Sequence, residues 1–500
     1  MFTVRYTSRY KQTASRFVVA AAAIIIAAAG GLHDASGQTG QTVYFMNRLP
    51  QSSLLNPAIQ HPHSFHIGIP MLSSFNVNAR TNFASFSDFV FKHPQYDSLI
   101  TFLHPDANID DFASKLRERN TISPELYLNL INFGFGVDRH YFSFGISERN
   151  SLRAFIPKDL VMLGLFGNEQ FTGKKADFSE IGIDLNYFRE YAAGYSYQLT
   201  DDISVGGRAK LLFGKAAVSF DNSDISLYTE PDTYNTLLRS DITVNMSLPV
   251  TIIRDQDGFI DEIRPHFDDE GYDPLDWVFN SGNAGFAVDI GATYRLMEPL
   301  TLFASITDLG FISWQEDVYN LKIDGEFEFD GIDLSPAFDA GDDSKPLDNL
   351  IDTLDHVFGI SDTSNPFTRG LPARIYLGGT YDLYEMLSLG LLSRSEIYRG
   401  RLEQAVTLSA QTNVGRWLSA SLSWTAMNNS YNNLGFGLAL TAPGFQFYVV
   451  SDNLNSTFMP HRTNSVNLWF GLNLVFGRRT TLQPDGNELV KDDIRITGRK

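Results

Sequence analysis

Residues 284–296 read AGFAVDIGATYRL, and every second side chain changes character. Phe286, Val288, Ile290, Ala292 and Tyr294 fall on one face, and Ala287, Asp289, Gly291, Thr293 and Arg295 on the other. That is the period of a β-strand. The pattern recurs over 203–213, where Ile203, Val205, Ala209, Leu211 and Phe213 oppose Ser204, Gly206, Arg208 and Lys210. It recurs over 416–425, where Leu418, Ala420, Leu422 and Trp424 oppose Ser419, Ser421, Ser423 and Thr425. In 465–476 the apolar set is Val466, Leu468, Phe470, Leu472, Leu474 and Phe476. Ordinary strands average about 5–6 residues. These runs approach the ~9–11 residues that a tilted strand needs to cross a bilayer. A soluble sandwich would carry charge on its outer face. Here one face is apolar and aromatic, and the other is small and polar. The pattern suits lipid outside and a polar lumen inside.

Turn residues punctuate the runs. Asp138-Arg139, Thr200-Asp201-Asp202, Glu298-Pro299, Leu383-Tyr384-Glu385, Val414-Gly415 and Pro443-Gly444 each join two strands. Longer connections alternate with them, as in barrels with short periplasmic turns and long outer loops. Strands are predicted near 64–79, 126–137, 140–148, 190–199, 203–213, 284–296, 300–307, 373–382, 386–394, 404–413, 416–425, 433–441, 444–451 and 465–476. The fold class is therefore all-β, a transmembrane antiparallel β-barrel of fourteen strands. Asp241 to Leu248 also alternates but breaks the parity. It is assigned to a lid hairpin inside the loop 214–283, and sixteen strands is the alternative if it pairs in the wall.

The N-terminus predicts export. Arg5, Arg9, Lys11 and Arg16 precede the apolar run Phe17 to Ala29, and Ala35-Ser36-Gly37 supplies small residues for cleavage before Gln38. The expected organisation is a signal peptide over 1–37, a periplasmic or hatch segment over 38–63, the barrel over 64–477 and a polar periplasmic tail over 478–500. Outer-membrane lipid and, during biogenesis, the barrel-assembly machinery are the expected partners. The chain has 39 Lys+Arg against 58 Asp+Glu, a net charge of −19. An acidic chain lacks the basic footprint that nucleic acid demands. The absence of cysteine excludes thiol catalysis, disulfides and thiolate metal sites.

Leu55-Asn56-Pro57-Ala58 near the mature start, YAAGYSYQLTDDISVGGRAKLLFG (191–214) and DIGATYRLMEPLTLFASITDLGFISW (289–314) resemble an uncharacterised outer-membrane barrel family of the Bacteroidota. The chain is more distantly similar to PorP/SprF-like barrels of gliding and type IX secretion, and to FadL-like long-chain fatty-acid transporters. The resemblance covers most of 42–477. It implies a barrel with an N-terminal hatch in its lumen, and it carries over no substrate-binding residue.

Candidate chemistry is sparse. Loop 214–283 holds 14 acids and 4 bases, and 308–372 holds 15 and 3; hydrated, self-repelling surface loops account for this. Asp255-Gln256-Asp257-Gly258-Phe259-Ile260-Asp261-Glu262 matches the middle of an EF-hand loop, which makes Asp255, Asp257 and Asp261 the metal candidates and Ca2+ the one candidate cofactor. Ile253 and Arg264 stand where the first and twelfth ligands should be, so a complete EF-hand is not expected. His61, His63 and His66 cluster without an evident fourth ligand. Leu160 to Phe166 reads as a short helix at the barrel mouth. No nucleophile elbow, zincin or phosphate-loop motif occurs, and no catalytic residue is assigned. The expected function is passive transport or binding of a small ligand, hydrophobic by analogy with FadL-like barrels. The alternative is a non-catalytic scaffold for surface or secretion machinery.

Overall fold

A computed structural model describes residues 40–479 apart from 94, 234, 255–259, 270, 330–360, 399–400, 428–429 and 459–462. Fourteen antiparallel strands form the wall. β1 is a broken strand, Phe65–Gly68 and Phe75–Thr81. β2 (Arg119–Val137), β3 (His140–Pro157), β4 (Gly182–Gln198), β5 (Ile203–Thr229), β6 (Ala284–Met297) and β7 (Leu300–Trp314) follow in order. The second half is β8 (Ala373–Tyr384), β9 (Leu387–Tyr398), β10 (Arg401–Val414), β11 (Leu418–Met427), β12 (Ser430–Ala442), β13 (Phe445–Ser451) and β14 (Ser465–Phe476). Each strand pairs with its neighbour in sequence. The sheet closes where both pieces of β1 pair with β14, Phe65 opposite Phe476 and Phe75 opposite Phe470. Closure leaves the wall without an edge, as a sheet in lipid requires.

The alternation decides which way each strand faces. In β14, Ser465, Asn467, Trp469, Asn473 and Val475 are buried toward the lumen, and the apolar set between them turns outward. In β11, Ser419, Ser421, Ser423 and Thr425 point inward, while Leu422 is exposed on the outside. Phe142, Leu211, Phe286, Ile290, Leu302, Leu377 and Phe436 are likewise exposed, and all lie on the apolar faces. Tight turns close one end. Asp138 adopts a left-handed φ of 50° in a two-residue hairpin, whose twist demands it, and Gly415 one of 52° in the three-residue loop between Val414 and Leu418.

At the other end the strands outrun the sequence prediction. β3 continues to Pro157, β4 begins at Gly182, and β5 runs 27 residues. Above the wall, β5 pairs with Thr236–Ser247, and that strand pairs with Val318–Phe329. The alternating segment at 241–248 thus belongs to an outer sheet, and the wall count is fourteen. Helix Lys158–Phe166 lies between two small outer cores, one around Phe112 and Leu116 and one around Phe171, Phe178 and Leu227. It therefore packs on the rim. Among the described residues no helix is long and apolar enough to cross a membrane.

Candidate functional site

The lumen is the concave feature that the wall creates, and residues 40–63 run through it. Gln41–Tyr44 forms one helical turn whose four side chains are all buried. Its backbone N–H groups need acceptors, because a helix start leaves its first donors unmet. Asp452, at the outer end of β13, accepts from Gly40 N at 2.8 Å and Thr42 N at 2.9 Å. Gly40 has a φ of 78°, and a Cβ there would meet the Trp469 ring at 2.9 Å. Gln41 Oε1 accepts from Thr407 and Thr425, and Thr42 bonds Ser423 at 2.7 Å. The Ser/Thr face that identified β11 as lumenal is thus the face that holds this segment.

Lower down, Tyr44 packs against Phe303 and Tyr376, with ring centroids 4.7 and 5.3 Å away. The segment then turns back, and Gln51 Nε2 donates to Ser73 O and to Asn473 Oδ1, both at 2.9 Å. Ser73 lies in the break of β1. There Ile69 to Leu72 makes a turn that exposes Met71 and Leu72 outside, and Ser73 and Ser74 are buried inside. Tyr448 also donates to Ser73 O, at 3.0 Å. The carbonyl that the break takes out of the ladder is thereby satisfied. Pro57 passes so close to β5 that a Cβ on Gly206 would collide with its carbonyl, so that glycine admits the segment.

A belt of buried ion pairs lies above the segment. Asp308 on β7 accepts from Arg149 (2.6 and 2.9 Å), Lys210 (2.7 Å) and Arg374 (3.4 Å). Lys210 also reaches Asp289 at 2.8 Å, and Arg208 bridges Asp289 (3.2 Å) to the carbonyl of Ser53 (2.8 Å). Toward the outer rim, Arg153 (2.5 Å), Arg374 (3.0 Å) and Arg394 converge on Glu396. Asp289, Asp308, Glu396, Arg208 and Lys210 are almost wholly buried, and Arg149 and Arg374 are 20% and 15% exposed, so the carboxylates depend on their partners.

The segment and belt divide the lumen. On the outer side a cavity of about 140 Å³ is bounded by Leu54, Leu55, Tyr127, Arg149, Arg369 and Tyr398. On the turn side a vestibule of about 770 Å³ lies beneath Tyr44, Phe45 and Ile59. The vestibule falls within the ordinary range for ligand sites.

Of the sequence candidates, Asp255 and Asp257 lie outside the described residues. Asp261 is in the strand Ile260–Pro265, which pairs with Val250–Arg254. Strands flank this loop where an EF-hand has helices. His61 and His66 share the Tyr141 hydroxyl, with His66 Nδ1 at 2.8 Å, and His66 Nε2 reaches Asn132 at 3.1 Å. They are buried between the inserted segment and the wall, and His63 faces the vestibule. His93, His104 and Asp106 meet in an outer loop. Nδ1 of His93 accepts N–H bonds from Gln95 and Tyr96, so Nε2 carries the proton and donates to Asp106. That tautomer leaves no lone pair on Nε2 for a metal.

The sequence reading put Arg208, Lys210 and Asp289 on polar strand faces but did not join them into a charge belt with Arg149 and Arg153. Ser147, Arg149, Ser151 and Arg153 share the lumenal parity of β3, and continuing the alternation past residue 148 would have found them.

The profile of DUF5723, described as a family of unknown function, matches residues 57–452. No curated protein matches the sequence. Among solved structures, a toluene transporter, TbuX, of Ralstonia pickettii is 9% identical over 86% of this chain and 95% of its own, with a TM-score of 0.39. A FadL homologue of Pseudomonas aeruginosa is 10% identical over 89% and 99%, with a TM-score of 0.40. The translocator domain of the autotransporter NalP from Neisseria meningitidis is 7% identical over 86% and 94%, with a TM-score of 0.31.

Proposed function

The chain belongs to the DUF5723 family, whose function is unknown, and from that premise we propose that it is an outer-membrane barrel that binds or passively passes a small ligand through a lumen gated by its own N-terminal segment. The observation that carries this reading is the placement of residues 40–63. They occupy the lumen with a cavity on either side, about 140 Å³ outward and about 770 Å³ inward. Polar hydrogen bonds hold the segment to the wall through Asp452, Ser423, Thr407 and Asn473. Such bonds exchange for water at a net cost of about 1 kcal/mol each, more where Asp452 accepts, and Val43, Met46 and Leu49 add apolar contacts with Tyr448 and Trp469, so displacing the plug breaks contacts of both kinds. The toluene transporter and FadL homologue named above make a hydrophobic ligand one class to try. The outward apolar faces support the outer membrane, since a closed barrel with such an exterior satisfies every wall amide in lipid.

The scaffold reading draws on a different observation, the sheet of β5, Thr236–Ser247 and Val318–Phe329 that rises above the wall. It fits a protein that presents a surface and keeps its lumen shut.

A cysteine pair separates the two. The native chain has no cysteine, and Thr42 Oγ1 and Ser423 Oγ lie 2.7 Å apart. In the double variant Thr42→Cys/Ser423→Cys, oxidation ties the segment to β11. Solute entry into proteoliposomes should stop on oxidation and return on reduction. Absence of entry in both states, from correctly folded barrel, supports the scaffold. Equal entry in both states contradicts gating by this segment.

A further inference from the structure

We propose that the helix Pro274–Phe279, with the turn His266–Asp268 beside it, is a flap on the outer face of the barrel that seats Leu275 and Phe279 among the acyl chains of the outer leaflet. The inference rests on the outer-membrane reading of the wall.

The place of the flap makes the first argument. On the outside of β3, β4 and β5, Ile146, Tyr191 and Leu211 oppose one another across the strands. One step higher, Glu148 opposes Arg189 with the same outward parity, and Arg189 Nε donates to Glu148 at 2.6 Å. That pair marks the height at which the apolar wall ends. Just above it β5 bulges. Phe188 pairs with Gly214 and Tyr187 with Ala216, which leaves Lys215 unpaired and re-aimed. The helix lies on these residues, with Trp277 against Tyr187 at 5.7 Å between ring centroids. The chain then enters β6 at Ala284, so the flap continues the exposed band of Phe286 and Ile290.

Its attachment makes the second. A helix end leaves its last carbonyls without partners, and lipid supplies none. Lys215 Nζ donates to the carbonyls of Trp277 (3.0 Å), Val278 (2.9 Å) and Asn280 (2.8 Å), and Arg189 donates to Val278 O at 3.0 Å. Trp277 Nε1 donates in return to Lys215 O at 3.3 Å. The flap meets its backbone needs from the wall and covers wall charges in exchange. Glu148, Arg189 and Lys215 are nearly buried although they lie outside the barrel.

The free face makes the third. Leu275 and Phe279, one turn apart on the helix, are 58% and 69% exposed. Phe267, edge-on to Trp277 at 5.6 Å, is 49% exposed. Trp277 and Val278 take the wall side, and the exposed Asp273 and Asp276 share the remaining side. One side for the wall, one apolar and one acidic is the pattern of an element lying in a membrane interface.

The native chain has no cysteine, so single cysteines report one position each. Phe279→Cys, Leu275→Cys, Phe286→Cys and Glu230→Cys variants of residues 38–500 are labelled with bimane, checked for the gel shift on heating and reconstituted in phosphatidylcholine liposomes. Phosphatidylcholine with a nitroxide high on its acyl chain should quench the labels at 275 and 279 to within about twofold of the label at 286, because an interfacial element sinks its apolar face about 5–10 Å into the boundary of headgroups and chains. It should spare the label at 230, an exposed position beyond the end of β5, which aqueous iodide should quench instead. Quenching at 275 and 279 by iodide and not by lipid would put the flap in water and overturn the inference. Protection from both quenchers would mean that protein, such as a second copy of the chain, covers the patch, and would overturn it too. Loss of lipid quenching at 286 would overturn the outer-membrane reading and this inference with it, so the label at 286 tells the two failures apart.

Discussion

Asp308 sits in the left-handed region, with φ 61°, inside a wall strand and almost wholly buried. Few residues other than glycine and asparagine accept that conformation, and here it coincides with an irregularity in the pairing of β6 and β7. The distortion lets one carboxylate accept from Arg149, Lys210 and Arg374 while its own N–H donates to Asp289 at 2.8 Å. Removing one member of such a cluster leaves buried charge uncompensated, at about 3–5 kcal/mol. Asp308→Ala should lower the unfolding free energy of the refolded barrel, read from its urea transition, by that much. Asp308→Asn removes the same charge but keeps a side chain that tolerates φ above zero and an oxygen for Arg149, so it should lose most of that amount, and the gap between the two variants measures the local conformation. Equal losses would show that the charge, and not the local conformation, carries the whole effect. Loss in neither would contradict the cluster's structural role.

At the scale of elements, the wall is separable from what rises above it. Phe213 on β5 pairs with Ala284 on β6, and Trp314 on β7 pairs with Phe367 ahead of β8. Replacing residues 215–282 and 315–366 by short turns leaves every wall pairing below those points intact. The trimmed chain should still migrate faster unheated than heated on a gel. Loss of that shift would mean that the outer sheet is needed to form the barrel. This division also explains what could be read from the sequence. Where a strand crosses the apolar layer, lipid forces one face to be apolar, and the alternation of β6, β11 and β14 is plain. Past that layer water meets both faces. Arg149, Arg153, Asp184 and Glu396 then resemble loop residues, although their parity still points them inward. The Ser/Thr face of β11 marked a lumen, but not that Gln41 and Thr42 would bond to it, because no local pattern links residues nearly 400 positions apart. The histidine cluster was legible as a cluster, and its sharing of Tyr141 was not.

For the whole molecule, the account has one moving part. The fourteen-stranded wall is closed by hydrogen bonds around its entire circumference, and residues 40–63 are held inside it by side chains. If these residues are the gate, a chain lacking them should have an open lumen. The direct measurement is planar-bilayer conductance of residues 38–500 and of the same chain with residues 40–60 deleted, each first checked for the gel shift on heating. The full chain should be closed or flicker briefly, and the deletion should give long-lived open steps. A deletion variant that folds and stays as silent as the full chain would contradict the gating account.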